Sequence, residues 1–144
     1  MCLVSIYEKF PKGRSGEGYK TFRVDSSGNL YGFFVYSWSA GCMLVSSNPF
    51  ISHEKRPKGV WLLANTDFKI KCRGSSDFYF SGWHIYKRKK DAEVADFVEL
   101  SRGDVKCVKV KYRKARVVGG NYCDAEVIVA DEIFIPKEVE EAGK

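Results

Sequence analysis

Between Val105 and Val118 the chain reads VKCVKVKYRKARVV, and from Val108 to Arg113 apolar and basic residues alternate without a break. A period of two belongs to an extended strand, whose successive side chains point to opposite sides. The segment therefore predicts a half-buried strand. Val108, Val110 and Tyr112 face a core, and Lys109, Lys111 and Arg113 form a cationic row on the other side. Lys106, Lys114 and Arg116 add charge, and the stretch holds no acid. Such a row is a landing site for an anion, above all a phosphate backbone, or a solvated sheet face.

Other features of the chain agree with a strand-rich fold. Ten Phe, eight Tyr and three Trp favour strands over helices. A length of 144 residues predicts one domain, without a linker or repeat, that can bury a sizeable core. With 44% apolar and 29% charged residues the chain is globular rather than disordered.

Strands are expected over Cys2–Tyr7, Tyr19–Val24, Leu30–Trp38, Cys42–Val45, Val60–Ala64, Phe68–Cys72, Phe78–Tyr86 and Ala125–Ile135. The second and third form a hairpin about Asp25–Asn29, and the stretch 78–86 reads as a central strand interrupted at Gly82. Glu8–Gly18 and Ser46–Gly59 read as loops, Arg73–Asp77 as a turn, and Gly119-Gly-Asn121 as the turn after the basic strand. One main helix is expected over about residues 91–102, with Asp91 as N-cap and Gly103 as stop. Pro136 opens a short C-terminal helix. The fold class is α+β, a mostly antiparallel sheet with one main helix packed on it.

The net charge of +6 is concentrated. Residues 87–116 hold eleven Lys or Arg against five Asp or Glu, so this segment carries the whole excess. A concentrated patch favours an acidic partner; solubility is the other use of such charge. Cys2, Cys42, Cys72, Cys107 and Cys123 include no closely spaced pair, so neither a zinc ribbon nor a redox motif is indicated. Reduced thiols and a cytoplasmic location are expected. Neither a secretory signal nor a membrane-spanning apolar run is visible, and no metal or cofactor is called for.

Gly82-Trp-His-Ile-Tyr86, Asp91-Ala-Glu93, Val108-Lys-Val-Lys111 and Val127-Ile-Val-Ala-Asp-Glu-Ile-Phe-Ile135 follow in order. This run, about the last 60 residues, resembles a loose group of small uncharacterised proteins of bacteriophages and prophages. Their pattern is Gly-aromatic-His-x-aromatic, a short helix, a valine-repeat strand, and a closing strand ending in apolar-x-Ile. Here Trp83 and Tyr86 stand where Phe is commoner. The resemblance implies an accessory protein of a phage or mobile element, acting in the host cytoplasm. Anti-defence proteins are often of this size and charge. The resemblance assigns no catalytic residue.

The candidate binding residues are Lys109, Lys111, Arg113, Lys114 and Arg116, together with Lys87, Arg88, Lys89 and Lys90 before the helix. His84 joins them as a ligand-contacting imidazole, against the reading of a histidine hydrogen-bonded within the sheet. His53-Glu54 lacks the second His of a zinc-protease motif and reads as solvated. The loop Lys12–Gly18 lacks the GK[ST] end of a phosphate loop. Tyr31, Phe33, Tyr36, Tyr79 and Tyr112 would suit base stacking if exposed, whereas strand aromatics are usually core.

Four functions fit these residues. The first is a non-catalytic binding protein engaging an acidic partner, nucleic acid or a host nucleoprotein complex. The second is an ADP-ribosyltransferase-like enzyme with Asp131 and Glu132 as acids and His84 and Arg23 in the pocket. The third is a homo-oligomeric interaction module pairing through an edge strand such as Cys2–Tyr7. The fourth sequesters a small anionic nucleotide.

Overall fold

The computed structural model describes residues 3–31, 55–64, 66–67, 69–72, 74–95, 105–121 and 124–137. The expected strands at 32–38 and 42–45, the helix beyond 95 and the C-terminal helix fall outside them.

The basic segment forms the longest strand, β8 (Val105–Gly120). Around it stand β1 (Ser5–Lys9), β2 (Gly16–Val24), β3 (Leu30–Tyr31), β4 (Trp61–Leu63), β7 (Trp83–Tyr86) and β9 (Glu126–Phe134) in one antiparallel sheet. The first half of β8 pairs with β2, from Arg23↔Val105 to Gly16↔Tyr112, and its second half pairs with β9 and β1. β9 also pairs with β7, and β7 meets β2 at Tyr19↔Tyr86. The pairings β2–β8–β9–β7–β2 thus close a ring, a small barrel without a free edge between these strands.

Gly18 makes the closing seam possible. A Cβ there would stand 2.5 Å from an Ile85 methyl and 2.8 Å from the Tyr86 carbonyl oxygen. Phe22, Ile85, Val108, Val110, Ile128 and Ala130, drawn from all four ring strands, form one buried cluster. A second cluster contains Tyr86, Cys107, Val117, Val127 and Val129, with Ala92 of α1 (Lys89–Ala95) packed in it. It also takes in Ile70 and Tyr79 from a separate hairpin, β5 (Lys69–Lys71) with β6 (Phe78–Phe80).

The expected loop Glu8–Gly18 is strand at both ends, over Glu8–Lys9 and Gly16–Gly18, because both ends pair with β8. Three further expectations need correction. The stretch 78–86 is two strands in two sheets, since β6 belongs to the hairpin and β7 to the ring. The described helix has seven residues and is a small element. It starts at Lys89 rather than after an Asp91 cap, and the amides of Asp91 and Ala92 both donate to the Arg88 carbonyl, at 3.1 and 3.3 Å. Asp91 lies in the first turn, where the helix dipole favours an acid.

The third correction concerns the turn after β8. Gly119 and Gly120 are still strand, and the turn runs from Asn121 to Ala125. The Asn121 amide donates to the Ala125 carbonyl at 3.1 Å, and the Ala125 amide donates back to Asn121 Oδ1 at 3.0 Å. Asp124 takes the left-handed φ of 60° there. Gly119 serves close approach instead, because a Cβ would overlap the Ser5 carbonyl oxygen of β1. Between β2 and β3, Asp25 Oδ1 accepts from the amides of Ser27 and Asn29 at 3.0 and 2.9 Å, and Gly28 has φ 85°. This is the Asx turn that the cluster DSSGN encodes. Among the described residues no helix is long and apolar enough to cross a membrane.

Candidate functional site: a cationic strand face edged by aromatic rings

Val108 and Val110 are fully buried, while Lys109 between them and Lys111 after them are exposed, as the alternation requires. Neither lysine has an ion pair among the described residues. Across one flank Lys109 faces Tyr19 and Lys111 faces Glu17 on β2. Across the other flank Lys111 faces Phe134 of β9, which faces Trp61 of β4. Lys111 Nζ lies 5.9 Å from the Phe134 ring centre, and the Phe134 and Trp61 rings are 5.5 Å apart. Half-buried rings thus lie beside free ammonium groups.

The row changes character at Arg113. Its guanidinium stacks 4.0 Å over Trp61, and Nε and Nη2 both donate to Glu132 Oε1, at 3.0 and 2.7 Å. Lys114 Nζ holds Oε2 of the same carboxylate at 2.7 Å. Glu132 is only 3% exposed, and the hydrogen bonds from Arg113 and then Lys114 hold its carboxyl below the usual range. With two cations to one carboxylate, the cluster keeps an excess positive charge.

Lys114 is also where the backbone breaks step. Its φ is +58°, in the left-handed region that costs a non-glycine residue about 1 kcal/mol or more. β8 bulges just beyond, between Ala115 and Val117. Arg116, the extra residue of the bulge, is tied to Asp131 by Nε and Nη2 at 3.1 and 2.9 Å.

Half of the second basic cluster is engaged as well. Lys87 bonds Glu126 at 3.0 Å, and Arg88 bonds Asp91 at 2.9 Å. Lys90 is exposed and Lys89 half-buried, neither with an ion pair among the described residues. The paired residues Tyr86, Tyr19 and Lys109 form one row across β7, β2 and β8, so Lys87 enters at the end of β7 two strands from Lys109.

His84 lies elsewhere, beneath the β5–β6 hairpin, and is 3% exposed. Its Nδ1 donates to the Gly82 carbonyl at 3.1 Å. Its Nε2 accepts from the Tyr79 hydroxyl at 3.0 Å, and that oxygen accepts from the Leu3 amide at 3.1 Å. Burial above all, with the Lys20 charge adding, holds its pKa well below 6.5 and the ring neutral. Burial likewise pushes the Tyr79 hydroxyl and the Cys72 thiol up, so both stay protonated. Cys72 and Cys107 are buried and outside any disulfide.

The acids considered for catalysis are both engaged, Asp131 by Arg116 and Glu132 by Arg113 and Lys114. His84 lies in the separate Tyr79–Leu3 network. Tyr79 is 4% exposed and Tyr112 half-buried, and burial raises the Tyr112 hydroxyl pKa. His53, Phe33 and Tyr36 lie outside the described residues. Trp61 and Phe134 were not anticipated from the sequence, because each reads as an ordinary strand aromatic until the register places it beside a cation.

Comparison with protein-family models, with curated proteins and with solved structures finds no match to this chain.

Proposed function

We propose that this protein is a non-enzymatic binding protein that engages an acidic partner, nucleic acid foremost, through the β8 face. The observation that carries the reading is the pair Lys109 and Lys111, exposed, without an ion pair among the described residues and edged by Tyr19, Phe134 and Trp61. Ammonium groups supply the charge that phosphates require, and the neighbouring rings supply apolar contact to sugar or base. Lys90 and the excess charge around Glu132 extend the field. Arg113, Lys114 and Arg116 serve mainly to rigidify the bulge, and His84 has no part in the contact. The resemblance of about the last 60 residues supports an accessory role in a phage or mobile element, acting in the host cytoplasm.

Size-exclusion chromatography at low salt, read at 260 and 280 nm, tests this. Wild-type protein is expected to carry 260 nm absorbance that high salt removes, and a Lys109→Ala/Lys111→Ala variant to carry much less. Equal 260 nm signal in the two proteins would remove this face from the account. Arg113 is left out of that variant because its loss would strand the buried Glu132 carboxylate.

A further inference from the structure

The β5–β6 hairpin turns one face inward and leaves the other bare. Ile70 and Tyr79, direct partners across it, are 2% and 4% exposed. On the outer face stand Phe78 and Phe80, 53% and 57% exposed, which is unusual for phenylalanine. Each faces an exposed lysine: Lys71 is paired with Phe78, and Lys69 with Phe80. Lys69 Nζ lies 6.0 Å from the Phe80 ring centre. Neither lysine has an ion pair among the described residues. The nearby acid Asp77 bonds Ser75 at the hairpin's end, at 3.4 Å.

We infer that this checkerboard of two rings and two ammonium groups is a base-stacking subsite for single-stranded nucleic acid. The inference rests on the nucleic-acid form of the function proposed above and adds the strandedness of the ligand. Residues two apart on a strand are separated by about 6.8 Å. That is twice the roughly 3.4 Å rise between stacked bases in a duplex strand. Phe78 and Phe80 therefore match bases that have come apart from each other, as in an extended single strand, and mismatch a duplex. The lysine beside each ring meets the phosphate of the nucleotide whose base is stacked. A purely apolar protein partner would leave two lysines desolvated inside the contact, whereas a polyanion uses them.

Fluorescence anisotropy with a short fluorescein-labelled oligodeoxythymidylate tests the subsite, with the same strand annealed to its complement as the comparison. Phe78→Leu/Phe80→Leu keeps apolar bulk on exposed positions and removes both π faces, and far-UV circular dichroism checks its fold. The variant is expected to bind the single strand at least about tenfold more weakly, with duplex binding little changed. If it binds the single strand as wild type does while Lys109→Ala/Lys111→Ala binds more weakly, the subsite is wrong and the strand face stands. If only the phenylalanine variant weakens, the subsite stands and the strand face falls. If wild-type protein binds no oligonucleotide at low salt, both fall. A phenylalanine variant that turns a sedimenting dimer into a monomer, with oligonucleotide binding intact, would make this face a self-association surface and overturn the inference.

Discussion

Glu132→Gln separates what the bulge cluster does for stability from what it does for charge. The carboxylate is 3% exposed and receives two contacts from Arg113 and one from Lys114, at 2.7 to 3.0 Å. A charge-assisted hydrogen bond contributes roughly 1.5–3 kcal/mol when its partners stay buried. Here the Arg113 and Lys114 side chains are 42% and 61% exposed, so both can turn to water once released. The exposed-pair scale then applies to part of the cluster, and the loss should be about 1–2 kcal/mol at pH 7. For a domain of this size that is a fall in Tm of roughly 2–8 °C.

The effect depends on pH with a definite sign. Hydrogen bonds from Arg113 and then Lys114 depress the folded-state pKa of Glu132. Its stabilisation is therefore complete above the unfolded-state value near 4.5 and is lost as pH falls through the lower folded value. The gap between wild type and variant should close in that acid range. Binding should change the opposite way. Two cations freed from one carboxylate can each release a counterion, steepening the log–log salt dependence for a single strand by up to about 1.4. Urea melts and an anisotropy titration at several salt concentrations measure both effects. A variant as stable as wild type at pH 7, with an unchanged salt slope, would refute the reasoning.

Two further outcomes follow from the fold. His84 stays neutral when folded and takes a proton when unfolded below pH 6.5, so stability should fall as pH drops below that value, by at most about 1.4 kcal/mol per unit. Urea midpoints at pH 7 and 5 measure this, and His84→Gln should flatten the dependence. Gly119→Ala forces a Cβ against the Ser5 carbonyl oxygen and should cost about 1–3 kcal/mol, with hydrogen exchange accelerated selectively in residues 5–9.

The alternation from Val108 to Arg113 was legible because burial of one strand face imposes it directly on the sequence. The Glu132 cluster was not, because it depends on where the β8–β9 turn lies. A turn centred on Gly120 would set Arg113 opposite Val127. The actual turn, held by Asn121 and the left-handed Asp124, pairs Gly120 with Glu126, and the bulge between Ala115 and Val117 then shifts the register by one and sets Arg113 opposite Glu132. The bulge was hidden for a similar reason, since nothing in YRKAR marks Lys114 for a positive φ. Ring closure joins Tyr19 to Tyr86, and such long-range register leaves no local trace. Phe78-Tyr-Phe80 reads as an apolar core strand, yet only Tyr79 is buried. The opposing Lys69-Ile-Lys71 carries the same period-two signal, and the pair together marks a hairpin with one bare face.

The central claim is that Lys109 and Lys111 bind a polyanion, and the salt dependence of oligonucleotide affinity tests it most directly. Wild-type protein should lose affinity steeply as salt rises. Lys109→Ala/Lys111→Ala should bind more weakly at low salt, with a log–log slope shallower by about 1.4. Affinity insensitive to salt, or a slope identical in the two proteins, would contradict the account.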